Sequence, residues 1–247
     1  MFYYFGRKGR AARTYPAPDY PLVIEPFAGS MGYTMHYRPP FAIGIETEAD
    51  VASLWRKLTS LSLDEIRDYP GPVAGERTTD RWHLLGNASD TWFYNKYLTA
   101  NQFVIRQFEQ QRALALRHHD YAINSVLYRQ GDYRDAPDVE ATWFIDPPYE
   151  GVQDGYRDKP NFEELAEWCM TRRGQVIICE GEHGSWLPFE HHSVSRGQPT
   201  RPLLVEKVLT RRTHARCESC AVTFPASRSD ARFCSGRCRM RASRTVS

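Results

Sequence analysis

The apolar run Ala141-Thr142-Trp143-Phe144-Ile145 stops at Asp146-Pro147-Pro148-Tyr149. Five apolar or β-branched residues read as a buried strand, and two successive prolines end any strand or helix, because each fixes φ and lacks an N–H. The sequence therefore predicts a stiff corner at a strand's carboxyl end. It carries a carboxylate, carbonyl groups without a local donor and a flat aromatic. Such a corner suits a planar heterocycle with an exocyclic amino group, whose hydrogens go to the acceptors while its ring stacks on Tyr149. A proline-rich exit turn with a surface tyrosine is the plainer alternative.

Other strand-like runs follow the same plan. Leu22-Val23-Ile24-Glu25 leads into Pro26-Phe27-Ala28-Gly29-Ser30-Met31-Gly32, and small residues after a strand let backbone approach a ligand closely. Phe41-Ala42-Ile43-Gly44-Ile45-Glu46 ends in an acid about 20 residues later, where doubly wound nucleotide-binding folds put the carboxylate that accepts from ribose hydroxyls. A run at 123–128 precedes Gly131-Asp132, and Gln175-Val176-Ile177-Ile178-Cys179-Glu180 is a further buried strand. Helical spacing of Val51, Leu54, Trp55 and Leu58 opens a largely helical stretch over 50–118, closed by a helix end at His118-His119-Asp120. Another helix is expected over 162–172, and two strands within 186–210. Alternation of this kind implies an α/β fold with a mostly parallel, doubly wound sheet, whose ligand crevice lies at the carboxyl ends of its strands.

The glycine turn and the tetrapeptide together resemble the S-adenosylmethionine-dependent DNA adenine-N6 methyltransferases of the Dam-like, alpha-ordered group. These run from an aromatic-Gly-Lys motif through Phe-x-Gly-x-Gly and a target-recognition insert to Asp-Pro-Pro-Tyr. Tyr4-Phe5-Gly6-Arg7-Lys8 looks like the first motif and Pro26-Phe27-Ala28-Gly29-Ser30-Met31-Gly32 like the second, with Met31 pushing the last glycine one place late. The resemblance covers residues 1–210 and implies a Rossmann-like methyltransferase domain with a helical insert at about 52–118. It implies cofactor binding by Tyr4, Lys8, Phe27, Ala28, Gly29, Glu46 and Asp132, and catalysis by Asp146, Pro147, Pro148 and Tyr149. Cytosine-N4 or RNA adenine methylation, or an inactive nucleic-acid-binding scaffold, are the alternatives. A cognate restriction nuclease is the partner such an enzyme can have; a monomer in the cytoplasm of a bacterial or phage-infected cell is expected. No apolar run approaches the ~20 residues of a membrane span.

The end of the chain carries different chemistry. Cys217-x-x-Cys220 and Cys234-x-x-x-Cys238 have the spacing of a four-thiolate zinc site, and a module of ~30 residues needs such a metal to fold. The formal net charge of +2 hides an asymmetry: from Arg211 onward nine arginines face only Glu218 and Asp230, a net of +7. A basic zinc module over 211–247 is therefore expected to hold a polyanion, with Arg237, Arg239, Arg241 and Arg244 on DNA phosphates.

Overall fold

Burial dictates the strands. In the computed structural model, which describes residues 2, 8–9, 11–71, 74–75, 102–151, 159–195, 204–225 and 232–244, the apolar runs become β1 (Leu22–Glu25), β2 (Phe41–Glu46), β4 (Glu140–Ile145) and β5 (Arg173–Gly181). The remaining large-sheet strands are β3 (Val126–Gln130), β6 (Glu190–Ser195) and β7 (Leu204–Arg212). Strand order is β3-β2-β1-β4-β5-β7-β6, an α/β, Rossmann-like arrangement. The sheet is mixed: β2/β3 and β4/β5 pair parallel, whereas β7 pairs antiparallel with both β5 and β6. The expected fold class holds, with an antiparallel edge that the alternation of elements did not specify.

The described residues form two compact units, one drawn from Met1–Ala17 and Ile24–Ala136, the other from Pro18–Val23, Pro137–Val152 and Asp158–Ser247. In the first, α1 (Gly32–Tyr37), α2 (Ala49–Ser60), α3 (Leu63–Arg67) and α4 (Gln102–Ser125) accompany β2 and β3. Helix α2 buries Val51, Leu54, Trp55 and Leu58, the stripe that its spacing predicts, in a core with Phe2, Met31 and Phe108. Ser62 and Glu65 form a reciprocal capping box that starts α3.

Helix α4 corrects two expectations. It runs through His118-His119-Asp120 and takes in Ile123-Asn124-Ser125, so the strand begins only at Val126. The apolar positions decide this: Ala115 and Ala122, with His118 and His119 between them, are all buried, a helical repeat rather than an alternating one. The Asn124 side chain donates to Asp120 O at 2.7 Å, and Tyr121 Oη donates to Pro39 O at 2.9 Å. His119 Nε2 lies 2.6 Å from Leu61 O, so it carries a proton and closes a helix contact. Residues 72–73 and 76–101 of the expected helical insert lie outside the described residues.

In the second unit, β4 and β5 are apolar on both faces, as strands of a covered parallel sheet must be. Helix α5 (Phe162–Thr171) starts on Asn161, whose Oδ1 accepts from Glu163 N and Glu164 N. A polar knot crosses the strands: Thr142 Oγ1 donates to Gln175 Oε1 at 2.8 Å, and Asp19 N donates to both. Gly174, at φ +102, lies against the backbone of Ala141, and an added Cβ would fall on the Ala141 carbonyl. Gly174→Ala therefore combines backbone strain with a clash. It should cost on the order of 3 kcal/mol in urea unfolding, against about 1 kcal/mol for Gly75→Ala, which has positive φ but open space around it.

Candidate active site and metal centre

In the first unit the turn after β1 is built around Gly29. Its φ of +43 is a left-handed conformation that glycine takes without cost. All its backbone polar groups are used. Gly29 N donates to Glu46 Oε2 at 2.9 Å, while Gly29 O accepts from Trp55 Nε1 at 2.8 Å and from Tyr128 Oη at 3.1 Å. Trp55 and Tyr128 stack on each other, centroids 4.4 Å apart and 20° from parallel. Ala28 N donates to Ile45 O, fastening the turn to the end of β2.

Met31, which displaces the last glycine of the motif, itself takes φ +52 and is fully buried. Its sulfur lies where a Cβ on Gly44 would stand, 2.6 Å away, so Gly44 provides its room. Gly32 is then free to meet another segment: a Cβ there would be 2.7 Å from Gly9 N. The described end of the N-terminal motif, Lys8-Gly9, thus packs on the glycine turn, and Lys8 is buried. Tyr4 lies outside the described residues. Phe27 stacks on Tyr133 at 5.4 Å.

The two acids of this unit differ. Glu46 is 8% exposed; burial raises its carboxyl above the ordinary value, opposed by N–H donation from Glu48 and Gly29 and by bonds from Thr47. Each carboxylate oxygen accepts twice, so these four donors match the acceptor capacity of Glu46. Asp132 caps a 3-10 turn at Tyr133–Asp135 and accepts from Arg134 N, Nε and Nη2. Burial pulls its carboxyl up, but the bonds and charge of Arg134 outweigh that and hold it below the usual range.

In the second unit Asp146-Pro147-Pro148-Tyr149 leaves β4 directly, with both prolines buried and Asp146 and Tyr149 half-buried. Tyr149 Oη donates to Glu206 Oε1 at 2.9 Å, and its ring lies on Gly181. Beyond it, Glu180 is fully buried at the end of β5. It accepts from Gly181 N, from Glu150 N at 3.2 Å and from Trp186 Nε1, and burial raises its carboxyl despite these donors. Glu180, Trp186 and Glu206 carry no site signal in the sequence: each is one polar or aromatic residue among apolar ones, and its partner is distant along the chain.

The candidate metal centre is a cluster of four thiols. Strands β8 (His214–Arg216) and β9 (Thr223–Pro225) form a hairpin, and α6 (Gly236–Arg244) comes after it. Between the strands, Ala221 at φ +60 donates to Cys217 O, and Cys217 N donates to Val222 O, folding Cys217–Cys220 into a tight knuckle. The Sγ atoms of Cys217, Cys220, Cys234 and Cys238 all lie within 4.8 Å of one another, with Cys220–Cys234 and Cys234–Cys238 at 3.6 Å. A tetrahedral zinc with Zn–S near 2.3 Å requires sulfurs about 3.8 Å apart, so this cluster can chelate such an ion. Burial raises the Cys217 thiol, but N–H donors of Cys234, Cys220 and Ser219 outweigh it and bring it down to about 6, while bonds among the thiols push Cys220 and Cys234 up. A bidentate Arg232–Glu218 pair, 2.7 and 2.6 Å, links the two halves.

The basic tail divides. Arg211 donates to Cys169 O and Arg172 O, and Arg212 pairs with Asp19, so both serve β7. On α6, Arg237 and Arg241 share one face by their i, i+4 spacing, with Arg239 opposite, and all three are exposed.

No protein-family model matches the chain, and no curated protein matches it. Among solved structures it is similar to the rRNA methyltransferase aviRa from Streptomyces viridochromogenes, with 14% identity, 81% of this chain and 80% of that chain covered, and a TM-score of 0.38. No helix among the described residues is long and apolar enough to cross a membrane.

Two predictions concern these sites. Because Glu46 is raised in the folded state, the native chain keeps a proton that the unfolded chain has released. Its contribution to stability must fall as pH rises from about 4.5 through the raised value. Urea midpoints across that range should fall less steeply for Glu46→Gln than for wild type. Elemental analysis should find one zinc per chain, lost on Cys238→Ser, and chelation should cost the helical signal of α6 while leaving the large sheet folded.

Proposed function

We propose that the chain is an S-adenosylmethionine-dependent methyltransferase acting on the N6 amino group of adenine in DNA. The observation that carries this reading is the rigid Asp146–Tyr149 corner at the carboxyl end of β4. It has buried prolines, a half-buried carboxylate and a tyrosine ring whose orientation is fixed.

The first unit is assigned the cofactor. Phe27, Ala28 and Gly29 form the close-approach turn, Glu46 is assigned the ribose diol, and Asp132, Lys8 and Tyr4 complete the set. The left-handed Gly29 and the place of Glu46 at the carboxyl end of β2 support the fit. When bound, S-adenosylmethionine supplies a methyl group on a sulfonium centre. The second unit is assigned the base, reached by flipping it from the duplex. The Asp146 carboxylate and the Pro147 carbonyl accept the two N6 hydrogens, turning the nitrogen lone pair out of ring conjugation. Pro148 keeps the corner stiff and Tyr149 stacks on the base. Catalysis is then positioning in a preorganised polar site, with no covalent intermediate.

The four cysteines hold a structural zinc, and the arginines of α6 contact phosphate, which adds affinity that falls with salt. Asp146→Ala should lower transfer of a labelled methyl group to DNA by about 1,000-fold or more, while calorimetry shows unchanged affinity for S-adenosylmethionine. Retained transfer would remove Asp146 from the mechanism.

A further inference from the structure

The β5/β7 ladder places Gly181 directly opposite Glu206, and both meet Tyr149. Gly181 lies under the ring: a Cβ there would stand 2.8 Å from Tyr149 Cδ2 and 3.4 Å from Cγ, so only a residue without a side chain admits the ring in this position. Glu206 takes the other end, its Oε1 accepting from Tyr149 Oη at 2.9 Å. Glu206 is held in turn from β6. The β6/β7 register slips between His191 and Ser193, an irregularity that brings Ser193 opposite Glu206, where Ser193 Oγ donates to Oε2 at 3.5 Å. Three strands thus contribute one row, Ser193–Glu206–Gly181, that ends on a single aromatic ring. The exit from the corner is fixed separately, by Glu150 N on the buried Glu180.

A tyrosine that only filled space would need neither a carboxylate at its hydroxyl nor a glycine under its face. We infer that Glu206 is a positioning residue: with Gly181 it sets the plane of Tyr149 before the substrate arrives, so that an adenine stacked on that ring presents N6 to Asp146 in the reacting orientation. This rests on the functional reading above. Orientation acts on the chemical step rather than on encounter, since a ring free to tilt binds the base about as well but holds it correctly for less of the time. The inference concerns kcat, and it makes Glu206 and Tyr149 one unit rather than two contributors.

The test has two arms on the full-length, zinc-loaded chain. In the first, tyrosines are labelled with carbon-13 at Cζ, and the resonance missing from Tyr149→Phe identifies Tyr149. That resonance should shift in Glu206→Gln, with the melting temperature within a few degrees of wild type. In the second, methyl transfer to DNA is measured for Tyr149→Phe, Glu206→Gln, Gly181→Ala and the Tyr149→Phe/Glu206→Gln double variant. Each single variant should lose about tenfold in kcat with KM for DNA within about twofold, and the double variant should lose no more than the worse single one. An unmoved Tyr149 resonance, losses that multiply in the double variant, or wild-type kcat in Glu206→Gln would each overturn the inference. A wild-type chain that transfers no methyl group while the resonance still shifts overturns the functional reading instead, and leaves the Tyr149–Glu206 pairing established.

Discussion

One residue, Gly29, carries much of the first unit's organisation. Its N–H is taken by a buried carboxylate and its carbonyl by an indole and a phenol that stack on each other. A buried peptide group left without partners would cost on the order of 1–3 kcal/mol, so these bonds are close to obligatory once the turn is covered. Met31 begins α1 in a left-handed conformation. The late glycine of the motif is accommodated by a second absence of side chain, at Gly44, rather than by a looser loop.

Similar economy governs the corner after β4. Two prolines set the chain direction, and polar groups from β5 and β7 hold Tyr149 and Glu150 beyond them. Glu180 and Glu206 occupy different positions in this scheme. Glu180 is buried and takes N–H donors, so it holds backbone and an indole; Glu206 takes a hydroxyl, so it holds a side chain. The thiol cluster solves another problem, that of a segment too short to build a core. Its sulfurs converge through one knuckle, the start of α6 and one ion pair, and that helix carries exposed arginines.

What could be read in the sequence was what is local. Asp146-Pro147-Pro148-Tyr149, the turn around Gly29 and the two cysteine pairs declare themselves because their chemistry lies within a few consecutive residues. The strands of the large sheet were legible for the same reason, as short apolar runs. Ile123-Asn124-Ser125 was not, because three residues fit either period and only the burial of Ala122 against its surroundings settles the matter. Glu206 was invisible as a site residue: it stands in an ordinary strand, and the hydroxyl it accepts from lies 57 residues earlier. Arg211 and Arg212 read as part of a basic tail, yet strand pairing commits both to backbone carbonyls and to Asp19. Charge counted along a chain overstates what remains for a ligand wherever strands intervene.

The central claim is that the rigid corner handles an adenine amino group. Its most direct test is nucleoside mass spectrometry of DNA incubated with the chain and S-adenosylmethionine carrying a deuterated methyl group. The account predicts label in N6-methyladenosine of the deoxy series, and none when Asp146 is replaced. Label confined to a cytosine derivative, label appearing only when RNA is supplied, or no label with cofactor demonstrably bound would contradict it.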